Sequence, residues 1–181
     1  RIAPIDRQTQ SPPERESLAL VEARKIRPNN FLRVLGHSPA ALGGYFGLTE
    51  QMGKARLGTR LRELISLAVS QYHGCPYCLS AHAYTAGRAG LDAPTIEAAR
   101  DGHAADAREQ SAIAFALALV EARGRVTSQR LTEARSAGLD DTDLIEIAAV
   151  VATMTFSNYV NLMADTEIDF PRAPNLPVVD A

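Results

Sequence analysis

Residues 63–82, ELISLAVSQYHGCPYCLSAH, contain the pattern from which the fold and the chemistry of this chain can be predicted. In the first half of this stretch, apolar residues recur three and four positions apart, which predicts a helix that Gly74 ends. A second helix begins at Cys75, because the proline that follows it is tolerated in a first helical turn. The stretch therefore predicts two consecutive helices, with the cysteines of a Cys-x-x-Cys pair, Cys75 and Cys78, opening the second and His82 further along it.

The reactive side chains of the second helix fall on one face. Cys75 and Cys78 are three residues apart and Cys78 and His82 are four apart, so each is a neighbour of the next along a helix. Unpaired backbone N–H groups and the positive end of the helix dipole surround a first turn, and both favour a thiolate. We therefore expect both cysteines to ionise more readily than a free cysteine, with His82 placed to exchange a proton with Cys78.

Glu63 is predicted to reach the same histidine from the first helix. It precedes Gly74 by roughly 16 Å of helix, and His82 follows that glycine by roughly 12 Å. If the two helices fold back as an antiparallel pair, the carboxylate and the imidazole lie at similar depth. A carboxylate in that position would orient the ring and fix its tautomer.

Three interpretations of these four residues remain open from their chemistry alone. A redox dithiol explains the close cysteines, the helix start, the histidine and the distant glutamate, and it needs no metal or organic cofactor. A zinc site has acceptable ligands in Cys75, Cys78, His82 and Glu63, but three of them on one straight helix form an awkward tetrahedral cage. Two buried structural thiols would require neither the histidine nor the glutamate. The pattern favours the redox dithiol.

Helix signals recur along the whole chain of 181 residues, and no strand pattern persists. Together they predict a compact all-α bundle of about seven to eight helices in a single domain, 1–181, with a core of about 15–171 between proline-rich ends. The proline content of segment 169–177 predicts that this segment is an extended strap or an arm onto a neighbouring subunit. The helix starts and corners are predicted at Ser11, Ser38, Thr59, Asp92, Asp106, Thr127 or Ser128, and Asp140.

The composition excludes several classes of protein. A formal net charge of −2 offers no basic excess for nucleic acid, and two cysteines cannot form a disulfide-rich secreted scaffold. Residues 147–164 carry no charge and reach the length of a membrane span, but the threonine, serine and asparagine among them favour a buried or subunit-interface helix. The N-terminal residues show no apolar signal region, so we expect a cytoplasmic protein without a membrane segment.

The segment resembles the signature of the alkylhydroperoxidase D-like branch of the carboxymuconolactone decarboxylase superfamily. That signature is a glutamate, eleven residues, Cys-x-x-Cys, three residues and a histidine, and this chain matches it at Glu63, Cys75, Cys78 and His82. The resemblance extends to the end of the last helix and covers most of residues 15–171. Within the branch, this chain is similar to the peroxidase-related members.

The resemblance implies an antioxidant oxidoreductase in which Cys78 attacks a hydroperoxide as the thiolate. Cys75 would then close a redox-active disulfide, while His82 and Glu63 relay protons and an external dithiol protein reduces the pair again. Similar proteins form trimers or hexamers, which implies a homo-oligomer. The alternatives are a dithiol–disulfide oxidoreductase without significant peroxidase activity, and a metal-binding or structural oligomer.

This chain departs from the best-characterised peroxidases of the family at one position, because Tyr77 stands where they have a histidine just before the second cysteine. A tyrosine hydroxyl can hydrogen-bond, but it does not shuttle protons near neutral pH. His73 is a candidate substitute. His37 and His103 are predicted to be surface residues. The cysteine pair also argues against the lactone decarboxylation that gives the superfamily its name.

Overall fold

A computed structural model describes residues 1–177, and these residues form nine α-helices without a β-strand, which confirms the all-α prediction. Residues 178–181 of the predicted domain lie outside the described residues. One helix, α2, was not predicted, because six residues are too few to show a periodic pattern. The helices are α1 (Pro12–Ala23), α2 (Asn30–Leu35), α3 (Pro39–Met52), α4 (Gly58–Tyr72), α5 (Pro76–Arg88), α6 (Ala93–Arg100), α7 (Ala107–Glu121), α8 (Ser128–Ser136) and α9 (Asp141–Ala164).

Helix α4 is the centre of the bundle. It packs against α5, α6, α7 and α9, and side chains on several of its faces, among them Leu64, Ile65, Leu67 and Val69, are fully buried. Each such side chain contributes about 1.5–3 kcal/mol by leaving water. A helix enclosed in this way offers a rigid position for any polar group it carries, and Glu63 is one of them.

The start of α4 differs from the prediction that Thr59 caps it. The helix begins at Gly58, and the hydroxyl of Thr59 accepts a hydrogen bond from Arg62 inside the first turn. Glu146 of α9 supplies acceptors just before the helix, since its carboxylate accepts from the backbone N–H groups of Arg56 and Leu57 at 3.2 and 3.1 Å. A carboxylate at the positive end of α4 also interacts favourably with the helix dipole.

Helix α9 is long and apolar enough to cross a membrane, judged by length and composition only. Half of its most apolar stretch is buried inside the protein, where residues such as Ile147, Val150 and Met154 pack toward α3, α4 and α7. One face of α9 thus belongs to the core. Its polar residues Ser157, Asn158 and Asn161 are buried as well.

Residues 169–177, which we call the strap, lie in extended form on their own chain. Asp169 accepts hydrogen bonds from the Tyr77 hydroxyl at 2.9 Å and from the backbone of Asn30 at 3.1 Å. The backbone N–H of Ala173 donates to Ser80 of α5 at 3.2 Å. These contacts within the chain agree with the strap prediction.

We expect Tyr77→Phe to lower stability, because the Tyr77 hydroxyl also accepts from the backbone N–H of Phe31 at 3.1 Å. Its loss leaves buried hydrogen-bonding groups unpaired, which costs about 1–3 kcal/mol. Each kcal/mol corresponds to about 2–4 °C in Tm for a chain of this size. Thermal unfolding by circular dichroism measures the change. Tyr84→Phe is the matched control, since Tyr84 is exposed; equal Tm values for the two variants would contradict the expectation.

Candidate active site

The turn between α4 and α5 sets the position of the cysteine pair. Gly74 adopts a left-handed backbone with φ of 64°, which disfavours a side chain at that position. Cys75 follows as the N-cap of α5, and its sulfur accepts a hydrogen bond from the backbone N–H of Cys78 at 3.3 Å. Both thiols are free and buried. Helix α5 thus begins one residue after Cys75, and the two sulfurs lie at its first turn.

Cys78 lies in a polar pocket inside an apolar core. Burial opposes its ionisation, but hydrogen bonds from Cys75 and Asn158, the charge of His82 and a hydrogen bond from Asn161 outweigh it, so the pKa of Cys78 is lowered. The amide nitrogen of Asn161 lies 3.3 Å from the sulfur. Cys78 is therefore the thiol that ionises first.

Cys75 behaves differently from the prediction that both cysteines ionise easily. Its pKa is raised, because it donates its thiol hydrogen to Cys78 and because burial disfavours its charge. The backbone N–H groups of Cys78 and Tyr77, which lower the pKa, do not compensate for these effects. The prediction is therefore wrong for Cys75, and the pair consists of one activated sulfur and one protonated neighbour.

Glu63 and His82 meet across the α4–α5 interface. The Nδ1 atom of His82 and a carboxylate oxygen of Glu63 are 2.8 Å apart. The side chain of His82 is 26% exposed and that of Glu63 is 12% exposed. Burial opposes protonation of the ring, but the charge and hydrogen bond of Glu63 outweigh it and raise the pKa of His82. The structure thus brings together the carboxylate and imidazole that the two helix lengths placed at similar depth.

Two cavities lie near these four side chains. One of about 170 Å³ is lined by Glu63, His82, Tyr45 and apolar side chains of α3 and α9. Burial, with the charges of Cys78 and Glu63 adding to it, raises the pKa of Tyr45 to about 12, so its hydroxyl stays a neutral donor. The other cavity, of about 460 Å³, lies beneath the strap and is lined by Cys75 among others.

The auxiliary candidates lie apart from the Glu63–His82 pair. The hydroxyl of Tyr77 donates to Asp169 and accepts from the backbone N–H of Phe31, and these hydrogen bonds hold the strap in place. Burial raises the pKa of Tyr77. The ring of His73 lies 3.4 Å from the Thr155 hydroxyl and packs edge-on against Tyr72 and Tyr159. Burial lowers the pKa of His73.

Two further histidines lie where the sequence predicted them. His37 and His103 are both exposed. The ring of His37 nevertheless has partners, with Nδ1 2.8 Å from Glu14 and Nε2 2.8 Å from the carbonyl oxygen of Ala3. These contacts tie the N-terminal residues to α1 and do not involve the cysteines.

Asn158 and Asn161 are site residues that the sequence analysis did not single out. In the sequence they stand only among the polar residues that argue against a membrane span. The available signal is two amides three residues apart in the uncharged stretch 147–164 of α9, which places them side by side on one buried face.

The zinc interpretation has no matching donor geometry. Among residues 1–177, no group of three or more histidine, cysteine, aspartate or glutamate side chains is arranged to hold a metal ion. Glu63 and His82 are hydrogen-bonded to each other, and Cys75 is hydrogen-bonded to Cys78. The four side chains thus form two hydrogen-bonded pairs.

Comparison with known proteins agrees with the class of protein that this fold and site define, an alkylhydroperoxidase D-like helical bundle with a Cys-x-x-Cys pair. The carboxymuconolactone decarboxylase family model matches residues 39–122, from the start of α3 to the residue that follows α7. Over that stretch the chain is similar to the carboxymuconolactone decarboxylase family, and its fold is that of alkylhydroperoxidase D-like proteins. A search of curated protein sequences finds no significant match.

Several solved structures share the fold over most of their length. An uncharacterized peroxidase-related protein from Silicibacter sp. TM1040 is 22% identical, covers 92% of each chain and has a TM-score of 0.78. An alkylhydroperoxidase core from Ralstonia eutropha JMP134, also an uncharacterized peroxidase-related protein, is 19% identical, with 93% of each chain covered and a TM-score of 0.75. The debrominase Bmp8 is 23% identical, covering 93% of this chain and 91% of its own, with a TM-score of 0.73.

We expect Glu63→Gln to raise the pKa of Cys78. Without the carboxylate charge the pKa of His82 falls, so less imidazolium is present near neutral pH to stabilise the thiolate. The pH dependence of Cys78 alkylation by iodoacetamide, located by mass spectrometry, measures this. Glu109→Gln serves as control, because Glu109 pairs with the exposed Arg60 outside the site. An unchanged alkylation profile would remove Glu63 from the electrostatics of the dithiol.

Proposed function

We propose that this protein is a thiol-dependent hydroperoxidase that acts through a dithiol–disulfide cycle of Cys78 and Cys75. The observation that carries the proposal is the unequal pair of buried sulfurs. Cys78 is polarised toward the thiolate, while Cys75 keeps its proton beside it. A peroxide-reducing dithiol needs one nucleophile and one thiol ready to resolve its product.

In the first step the Cys78 thiolate attacks the outer oxygen of a hydroperoxide. The oxygen–oxygen bond breaks, the sulfur is oxidised to a sulfenic acid and the alkoxide leaves as an alcohol after taking one proton. His82 supplies that proton as imidazolium, and Glu63 holds the ring and supports its charge at 2.8 Å. We take the cavity of about 170 Å³, which Glu63 and His82 line, as the entry for the peroxide.

In the second step the Cys75 thiol attacks the Cys78 sulfenic acid. A disulfide forms and water leaves, so both electrons given to the peroxide have come from the two sulfurs. The two cysteines are three residues apart at the start of α5, so they can be bridged within one chain. An external dithiol protein then reduces the disulfide and is itself oxidised. A reducing compartment such as the cytoplasm, where we place the protein, supplies such dithiols.

A second two-electron reaction is supported by the likeness to a debrominase. A variant of Bmp8 with a cysteine changed to alanine has been solved in complex with 2,3,4-tribromopyrrole, and it has a TM-score of 0.72 with this chain. In the corresponding reaction here, the dithiol would become a disulfide while bromide leaves and hydrogen replaces it on the ring. This belongs with the alternative of a dithiol oxidoreductase without peroxidase activity.

Rapid mixing of the reduced protein with cumene hydroperoxide tests the main proposal. The wild type should lose two thiols for each peroxide consumed and gain a disulfide. Cys75→Ser should consume one peroxide and stop as a sulfenic acid that dimedone traps, while Cys78→Ser should react at least about 100-fold more slowly, because a protonated thiol is a poor nucleophile.

The same reduced protein is mixed with 2,3,4-tribromopyrrole in parallel. Release of bromide without any thiol loss to peroxide would replace the peroxidase by a dehalogenating dithiol. Loss of peroxide at the wild-type rate in Cys78→Ser would contradict the assignment of the attacking sulfur.

We propose that the protein forms a homo-oligomer, a trimer or hexamer in keeping with its family, through the outer face of α9. Ile145, Phe156, Tyr159 and Met163 are exposed on this face, between 39% and 73%. An apolar groove of about 330 Å³ between α3 and α9, lined by Leu48 and Phe156 among others, continues the same surface. Projecting side chains and a groove on one face let copies of the chain complement each other.

Tyr159→Glu combined with Met163→Glu should shift the protein to the monomer, because two charges would be desolvated in the contact. Sedimentation velocity measures the mass. Glu97→Gln, a conservative change on the distant helix α6, is the control. A monomeric wild type, or an oligomer that withstands both glutamates, would overturn the proposal.

A further inference from the structure

Two buried amides of α9 surround the sulfur of Cys78. Asn158 and Asn161 are 0% and 4% exposed. The amide nitrogen of Asn161 donates to the sulfur at 3.3 Å, and the side chain of Asn158 lies near enough to help lower the pKa of Cys78. Ser70 of α4 accepts from the Asn158 amide at 3.3 Å. These hydrogen bonds thus link α4, α5 and α9.

The orientation of the Asn161 amide is fixed by a second partner. Its nitrogen also donates to the backbone carbonyl of Ser157 at 3.0 Å. A carbonyl oxygen can only accept, so turning the amide over would place two oxygens against each other. Asn161 therefore presents an N–H group to Cys78 whether the sulfur is protonated, ionised or oxidised.

This arrangement leaves two polar atoms unpaired. The side-chain oxygens of Asn158 and Asn161 are buried without a hydrogen-bond partner among residues 1–177. An unpaired buried oxygen disfavours the folded state, and an apolar residue of similar shape avoids that penalty. Packing alone would be served better by leucine at both positions, so the amides point to a role beyond packing.

We propose that Asn158 and Asn161 form an amide cradle that stabilises the Cys78 thiolate relative to both its thiol and its disulfide. An N–H group interacts strongly with a charged sulfur and weakly with a neutral one. The cradle thus increases the thiolate available for attack and makes the disulfide easier to reduce. The inference rests on the proposed function for its biological meaning, while its chemistry is measurable without a substrate.

The test compares Asn161→Leu and Asn158→Leu with the wild type in three measurements. The pH dependence of Cys78 alkylation, the reduction potential of the pair in dithiothreitol buffers and the Tm are recorded for each. We expect alkylation near neutral pH to slow by roughly tenfold for each variant, the effect of losing one hydrogen bond to a charged group. The disulfide should become roughly tenfold harder to reduce, which corresponds to about 30 mV toward negative potential. The Tm should stay level or rise.

Thr155→Val is the matched control, a similar isosteric change on α9 at a residue whose hydroxyl contacts His73 and not the sulfur. It should leave alkylation and potential unchanged. If either leucine variant fails to fold, Asn161→Asp, which keeps the shape but removes both amide hydrogens, should slow alkylation even further. Unchanged alkylation and potential, with or without a lower Tm, would overturn the cradle.

These measurements separate the cradle from the peroxidase proposal. Alkylation and potential need no peroxide, so a wild type that does not reduce peroxides but shows the expected shifts would support the cradle and reject the proposed function. A working peroxidase whose leucine variants keep the wild-type profile would do the opposite.

Discussion

The antiparallel contact of α4 and α5 across the left-handed turn at Gly74 is the constraint on which the site depends. It brings Glu63 to His82 at 2.8 Å and places both cysteines on the first turn of α5. Because α4 is enclosed by the helices around it, the carboxylate has little freedom to leave that position. The carboxylate–imidazole pair is thus held by the core itself, whereas many catalytic groups are carried by surface loops.

Burial acts in opposite directions on the two cysteines, and their hydrogen bonds decide which effect prevails. A low-dielectric core penalises any charge, so a buried thiolate persists only where donors surround it. Cys78 has such donors in Cys75, Asn158 and Asn161. Cys75 donates its thiol hydrogen to Cys78, and the hydrogen bonds that it accepts are too weak to offset the cost of burying its charge. The helix dipole, which the two residues share, is therefore less decisive than the contacts that distinguish them.

Regular helical spacing made much of this architecture predictable. Periods of three and four residues, proline in first turns and glycine at helix ends located eight of the nine helices, and simple helix lengths placed Glu63 beside His82. Contacts between segments distant in the sequence were not predictable in this way. Glu146 replaces Thr59 at the start of α4, and the raised pKa of Cys75 follows from a neighbour that the dipole argument ignored.

The position of α9 near the end of the chain has a consequence for how the protein is made. Asn161 is 83 residues after Cys78, and the strap that closes the neighbouring cavity comes later still. During synthesis, the cysteines therefore leave the ribosome long before the amides that polarise Cys78 exist. An unfinished chain therefore lacks the hydrogen bond that Asn161 donates to Cys78 until the last helix docks on α4. The surroundings of this sulfur are thus completed only at the end of folding.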